Sequence, residues 1–225
     1  MGGYKLDRYH KFLFPLGMTG VLFYFAHTIL GNLLWPEYNP ITMDISSLTA
    51  DGAPDAELLR ILSLIYSICM IIFALSLVYQ AAKNENRVLR TGFIVLLIMQ
   101  ITSAAGYGLF PLTGDKTEMN FQNTMHIVVT VIVVFTTIAS SFLIAKGYLK
   151  RESTRKLGRI SLVFAVLITI TGVFNPISMA LQLNVLGLSE RLVIYTIQIF
   201  MFVLSFYYTF LHRENGVRYG YAKVQ

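Results

Sequence analysis

The sequence predicts an all-α integral membrane protein built as a bundle of six transmembrane helices. Only 13% of its 225 residues are charged and 55% are hydrophobic, whereas an average globular chain carries about 25% charged residues. Six stretches of 21 to 30 residues contain no Asp, Glu, Lys or Arg. Each exceeds the roughly 20 residues that a helix needs to cross the hydrocarbon core of a bilayer. The low charge content argues against a soluble enzyme and against a disordered chain.

The charge-free stretches place the helices within one membrane domain covering residues 1–225. Backbone in lipid must satisfy its hydrogen bonds internally, and segments such as IVVTVIVVF lack the polar–apolar alternation of barrel strands. The first stretch follows a basic flank, but it is too long for a signal peptide, and we interpret it as a retained helix. An ordered outer loop is predicted at residues 35–57. The predicted helices cover residues 12–34, 58–81, 88–110, 125–145, 158–179 and 191–211.

The basic residues lie almost entirely at one end of the predicted bundle. Fifteen of the 18 Lys and Arg residues fall in the N-terminal segment, the second and fourth loops and the C-terminal segment, whereas eight of the twelve acidic residues fall in the other three loops. Because Lys and Arg mark cytoplasmic loops, both termini are predicted to be cytoplasmic. This asymmetry explains the net charge of +6 without a nucleic-acid partner. The single cysteine, Cys69, excludes an internal disulfide.

The first and third helices end in a shared pattern. Residues 31–36 (GNLLWP) and 106–111 (GYGLFP) both read G-x-x-L-[WF]-P. Proline ends or kinks a helix, and aromatic rings are favoured at the membrane interface. The pattern predicts three helical hairpins that turn on the outer side, either through internal repetition or through a common way of leaving the membrane. The candidate N-caps of the even helices are Asp55, Asn123 or Thr124, and Ser189.

Polar residues on the predicted outer side are candidates for ligand binding, and four of them are also candidates for catalysis: Asp44, Asp115, His126 and Glu190. In the loop, Asp44, Ser46, Ser47 and Asp51 can either cap a short helix or contact a ligand. His126, predicted in the first turn of the fourth helix, can act as a general base or metal ligand beside a carboxylate. The alternative for His126 is a structural hydrogen bond to a loop carboxylate or carbonyl. The carboxylates that can join it from other hairpins are Asp44, Asp115, Glu118 and Glu190.

Two further residues are candidates for ligand binding. His27 lies inside the first helix towards its outer end, where a polar ring faces the bundle interior. It can line a polar cavity or make ordinary interhelical hydrogen bonds. At the predicted start of the sixth helix, Arg191 can hold a phosphate or carboxylate through two hydrogen bonds, or Glu190 and Arg191 can serve only as cap and anchor. The polar neighbours of His27 at similar depth are Thr28, Asn32, Tyr66, Gln100, Thr102 and Ser103.

The sequence lacks the common motifs for cofactors and metals. It contains no Walker A loop, dinucleotide fingerprint, H-E-x-x-H motif or G-x-S-x-G elbow. Val129 and Thr130 occupy the positions one turn after His126, so a second ligand on the same helix face is missing. We therefore predict no cofactor and no metal site, with His126 as the one candidate ligand if a metal binds.

Three segments on the predicted outer side form a distinctive set: residues 35–54, residues 110–126 and residues 187–191 (GLSER). Together they resemble a bacterial membrane family known as domain of unknown function 998, and the resemblance covers nearly the whole chain. It implies a six-helix bundle in a bacterial plasma membrane, and it implies no particular activity. The residues that match the family pattern are Asp44, Ser46, Pro54, Pro111, His126, Glu190 and Arg191.

The predicted function is the binding or sensing of a lipid headgroup or small amphiphile in an outward-facing polar pocket. In this hypothesis Arg191 holds an anionic group, Asp44 and His126 add polar contacts, and the first outer loop forms a lid. One alternative is a hydrolase or transferase that acts on outer-leaflet lipid, with His126 as general base or metal ligand. A second is a small transporter, which the apolar inner halves of the even helices disfavour. Membrane lipid is the expected partner, and the oligomeric state is left open.

Overall fold

The computed structural model describes residues 10–113 and 120–212. Over these residues it is built from six long helices, each long and apolar enough to cross a membrane, which confirms the predicted fold class. Short 3-10 segments at His10–Leu13, Ser46–Thr49 and Glu152–Thr154 accompany them, and a π-helical turn at Tyr207–Leu211 continues the last helix. The helices are α1 (Pro15–Leu34), α2 (Ala56–Asn84), α3 (Arg87–Leu109), α4 (Phe121–Leu149), α5 (Arg155–Ala180) and α6 (Leu186–Phe206).

The helices form a closed ring. Each packs against the next along the chain, and α6 returns to pack against α1. Glycines allow the tightest of these approaches: a Cβ added at Gly147 of α4 would stand 2.6 Å from the Cα of Leu89 in α3. Large apolar side chains fill the centre of the ring, while many others lie exposed on its perimeter, as expected for a surface that faces lipid. The buried central side chains include Met70, Phe73, Leu77, Phe93, Leu96, Phe200 and Leu204.

Helices α4 and α6 begin four and five residues earlier than the sequence predicts. Helix α4 begins at Phe121 because the Asn120 side chain accepts a hydrogen bond of 2.8 Å from the Asn123 backbone N–H, so Asn120 is the N-cap in place of Asn123 or Thr124. Helix α6 begins at Leu186 after Val185, so the prediction of Ser189 as N-cap is also wrong. His126, Glu190 and Arg191 therefore lie beyond the first turns in which they were expected.

Helices α2 and α5 also differ from expectation. Asp55 does precede α2, but its φ of 53° is left-handed and its side chain makes no capping hydrogen bond. Helix α5 continues through Pro176 to Ala180, one residue beyond the predicted end. In lipid a continued helix satisfies more backbone groups than a break does.

We call the end that carries the α2–α3 and α4–α5 loops the basic end, and the opposite end the cap end. At the basic end an ion pair joins the two loops, because an Nη1 atom of Arg151 lies 2.9 Å from the Glu85 carboxylate. Beneath it the hydroxyl of Tyr148 donates to that of Tyr208 at 3.0 Å. These contacts tie α4 to α2 and α6 where the helices leave the apolar core.

Candidate functional site

The cap end is covered by residues 35–55, which we call the cap loop. Several of its apolar side chains are buried: Tyr38, Ile45 and Leu48 form a small cluster with Leu59 of α2. Gly31 makes room for this cluster, because a Cβ at that position would stand 2.7 Å from the Leu48 side chain. The cap loop is thus packed onto the helices in an ordered arrangement.

Arg191 of α6 holds the cap loop from below. Its Nη1 atom donates to the carbonyl oxygens of Pro40 at 2.8 Å, Met43 at 3.2 Å and Gly187 at 3.1 Å. Its Nη2 atom donates to the Tyr38 hydroxyl at 2.6 Å. A guanidinium group suits this task because its N–H groups are fixed in a planar fork. The guanidinium group of Arg191, which the sequence analysis proposed as the site of an anionic ligand, therefore binds backbone carbonyls and a phenol.

Tyr38 extends the same network into the cap loop. Burial raises its pKa to about 12, against the opposing effect of the Arg191 charge, so the phenol keeps its proton at neutral pH. Its hydroxyl donates to the Asp44 carbonyl oxygen at 2.8 Å and also lies 3.2 Å from that of Met43. The phenol thus joins the guanidinium of Arg191 to the backbone around Asp44.

Two acidic residues complete the docking of the cap loop. The Glu190 carboxylate accepts a hydrogen bond from the Ile45 backbone N–H. The Asp44 carboxylate, on a residue only 2% exposed, accepts from both the backbone N–H and the hydroxyl of Ser47. Ser46 begins the 3-10 segment and is half-buried. The structure thus brings Asp44, Glu190 and Arg191 together around the loop.

His126, on α4, contacts residues at the end of α3. Its Nδ1 atom is 2.8 Å from the Phe110 carbonyl oxygen, and its ring packs at 4.9 Å against that of Tyr107. This is the structural hydrogen bond that was the alternative to a catalytic role. Asp115 and Glu118, two of its proposed partners, lie outside the described residues. Over residues 10–113 and 120–212, no three His, Cys, Asp or Glu side chains cluster as metal ligands.

His27 faces the interior of the bundle below the cap. It is 3% exposed, and neither ring nitrogen has a hydrogen-bond partner among the described residues. Its ring lies 5.8 Å from that of Tyr24, which in turn lies 4.9 Å from the ring of Tyr66. The Tyr66 hydroxyl accepts a hydrogen bond of 2.8 Å from Gln198 of α6. His27 therefore belongs to a polar cluster that crosses the bundle from α1 through α2 to α6.

A groove of about 410 Å³ opens at the cap end between the cap loop and the start of α6. Trp35, Met43 and Leu186 give it an apolar side, and Asp44 and Asp51 give it oxygen atoms. Its volume is within the range of about 300–1,000 Å³ typical of small-molecule sites.

A family model described as a protein of unknown function, DUF998, matches residues 18–207. The chain belongs to the DUF998 family. Comparison with curated proteins and with solved structures finds no match. The matched residues run from within α1 into the π-helical turn, so the cap loop, Arg191 and His27 all belong to the DUF998 region.

Three important residues of this DUF998 chain escaped the sequence analysis. Tyr38 and Gln198 carry the networks described above, and Gly187 lets the cap loop lie against α6, because an added Cβ would stand 2.6 Å from the Pro40 carbonyl oxygen. Each acts through partners far away in the chain, so no local spacing marks it. The one local signal was Gly187 within the GLSER segment, where a glycine without a turn suggests a close approach of backbone.

Proposed function

We propose that the protein binds the headgroup of a membrane amphiphile in the groove at its cap end. The observation that carries the proposal is the position of the groove: Trp35 follows the last residue of α1, and Leu186 is the first residue of α6. Both residues therefore lie where helices leave the apolar core, at the level where lipid headgroups begin. An amphiphile can keep its chain in the bilayer while its headgroup enters the groove.

The lining favours a headgroup that donates hydrogen bonds. Two acidic residues, Asp44 and Asp51, and two hydroxyl residues, Thr42 and Ser47, are among those that line the groove, whereas Arg191 is not. A carboxylate is an acceptor only, and its hydrogen bonds to ammonium groups are the stronger charge-assisted kind. We therefore assign an ammonium or hydroxyl headgroup to the groove rather than an anionic one.

The orientation of the groove follows from the charge distribution. We propose that the basic end faces the cytoplasm of a bacterial cell, since Lys and Arg concentrate there. The cap end and its groove then face outwards, and the ligand is taken from the outer leaflet.

Trp35 provides a direct test, because it is the single tryptophan of the chain and lines the groove. The protein is reconstituted in phosphatidylcholine nanodiscs and titrated with oleylamine, oleate or methyl oleate while Trp35 fluorescence is recorded. We expect a saturable change with oleylamine, and none with oleate or methyl oleate.

The variant Asp44→Asn should weaken oleylamine binding at least tenfold, because an ammonium group loses its charged acceptor. Asp55→Asn is the matched control, since Asp55 is an acid of the same end that lies outside the groove lining. The proposal fails if oleylamine gives no saturable change, or if the two variants bind it equally well. Thermal unfolding of each variant establishes that it is folded.

A further inference from the structure

The basic end carries a set of exposed cations on three neighbouring helices. The acidic residues that the structure describes at this end are Glu85 and Glu152, and they pair with Arg151 and Arg155 at 2.9 Å and 3.0 Å. Six further cations are exposed and form no ion pair with any described residue. We call these six the cation patch: Arg87 and Arg90 at the start of α3, Lys146 and Lys150 at the end of α4, and Lys156 and Arg159 at the start of α5.

Close backbone contacts hold the cation patch at one level of the bundle. The Asn86 side chain donates to the Gly147 carbonyl oxygen at 2.8 Å, so the start of α3 meets the end of α4. A Cβ added at Gly158 would stand 2.8 Å from the backbone nitrogen of Leu149, so the start of α5 meets the same turn of α4. Neighbouring helix axes lie about 8–10 Å apart. The six charges therefore spread over about 20 Å of the membrane boundary.

An exposed apolar stripe continues from the cations along each of the three helices. Residues four apart lie on the same face of a helix. In each helix the residue four positions deeper than a cation is a large exposed apolar one: Ile94 after Arg90, Phe142 before Lys146, and Val163 after Arg159. This surface thus combines positive charge at the boundary with apolar area in the hydrocarbon. The same division is found in an anionic phospholipid.

We propose that the cation patch binds the phosphate groups of anionic phospholipid in the leaflet at the basic end, with the acyl chains against the apolar stripes. Arginine forms paired hydrogen bonds to phosphate, and lysine attracts phosphate as a point charge. A zwitterionic lipid fits this surface less well. Its ammonium group would meet cations, because the carboxylates of Glu85 and Glu152 are already paired.

Native mass spectrometry of the full chain in an uncharged detergent counts the bound lipid directly. The protein is titrated with dioleoyl phosphatidylglycerol or dioleoyl phosphatidylcholine, which have the same chains and the same phosphate. We expect phosphatidylglycerol to bind at least tenfold more tightly, because only phosphatidylcholine carries a positive charge. Glycerol 3-phosphate has the phosphate without the chains, and at the same concentration it should not displace phosphatidylglycerol.

A matched pair of variants tests the location of the site. Near an anionic membrane surface each Lys or Arg strengthens binding about fivefold, so Lys150→Gln and Arg87→Gln should each weaken phosphatidylglycerol binding about fivefold. Lys83→Gln removes the same charge at the same end. Lys83 lies on α2 outside the cation patch, with its ammonium group 4.2 Å from the centre of the Tyr79 ring, and its loss should change the affinity less than twofold. Thermal unfolding without lipid establishes that each variant is folded.

Three results would overturn the proposal. Equal affinities for the two lipids would show that the charge of the patch does not select the headgroup. Equal losses in Lys150→Gln and Lys83→Gln would show that lipid responds to the charge of the whole end. Displacement by glycerol 3-phosphate would show that the apolar stripes contribute nothing. Asp44→Asn alters the groove at the opposite end and should leave phosphatidylglycerol binding unchanged, so the two proposals can fail separately.

Discussion

Replacing Arg191 by lysine tests whether its guanidinium fixes the cap loop. The group donates to three carbonyl oxygens, of Pro40, Met43 and Gly187, and to the Tyr38 hydroxyl. Lysine keeps the charge, but its compact ammonium group cannot reach all four acceptor oxygens at once. We expect the lysine variant to lose two of the four contacts. Since each hydrogen bond to a charged group contributes about 1.5–3 kcal/mol, the loss is about 3 kcal/mol or more. That corresponds to roughly a hundredfold rise in the population of the undocked loop.

Hydrogen exchange measured by mass spectrometry reports this population directly. The useful amides are those whose hydrogen bonds exist only when the loop is docked: Ile45, which donates to Glu190, and Leu188, which donates to the Ile41 carbonyl oxygen at 2.9 Å. In Arg191→Lys these amides should exchange about a hundred times faster than in the wild type. Amides of the bundle core, such as Phe73, should be unaffected.

Arg60→Lys is the matched control for this experiment. Arg60 also binds the cap loop, with two N–H groups on the Thr49 carbonyl oxygen and one on Asp51, but it lies on the exposed side. An exposed ion pair contributes about 0.2–1 kcal/mol, so exchange should rise only a few-fold. Equal acceleration in the two variants would refute the argument that the buried carbonyls make Arg191 the main support of the loop.

Two further substitutions test other contacts. Gly187→Ala should lower the unfolding temperature, because the added Cβ pushes the cap loop off α6. Gly172→Ala is the control: its Cβ would meet its nearest neighbour at 3.7 Å, so the substitution should be neutral or stabilising. A similar fall in unfolding temperature in both variants would count against the close approach of the cap loop to Gly187. Burial raises the pKa of Glu85 above 4.5 although Arg151 lowers it. The folded chain therefore keeps the Glu85 carboxyl protonated to a higher pH than the unfolded chain does. Stability from Glu85 is then present at acidic pH and lost as pH rises through the raised pKa. Glu85→Gln should flatten the decline of unfolding temperature above about pH 4.5, and an unchanged slope would contradict this.

The number of helices was predictable because it depends on composition over long windows. Crossing the hydrocarbon core requires a certain length of chain without charge, and this length can be counted along the sequence. The same rule misplaced the start of α6, because it took the charged pair Glu190 and Arg191 as the boundary of the helix. Both charges have partners in the cap loop, so the helix can begin before them. A charge that is paired by tertiary contacts does not mark a helix boundary.

The arrangement of the site was less predictable. The sequence placed Asp44, His126 and Arg191 at one end of the bundle, but it contained no information on which helices are neighbours there. Tyr38 and Arg191 meet across a separation of 153 residues, and Tyr66 and Gln198 across 132. Contacts of this kind depend on the closure of the helix ring, which brings α1 against α6.

The cap loop and the interior cluster differ in how completely their polar groups are satisfied. Around Arg191 the guanidinium and the carbonyls are paired with one another, so that region needs no further molecule. At His27 and Gln198 three buried atoms have no partner among the described residues, and each such atom costs about 1–3 kcal/mol. The sum is a large fraction of the roughly 5–15 kcal/mol by which proteins are stable. The interior cluster therefore carries an unmet cost that the contacts of Arg191 do not.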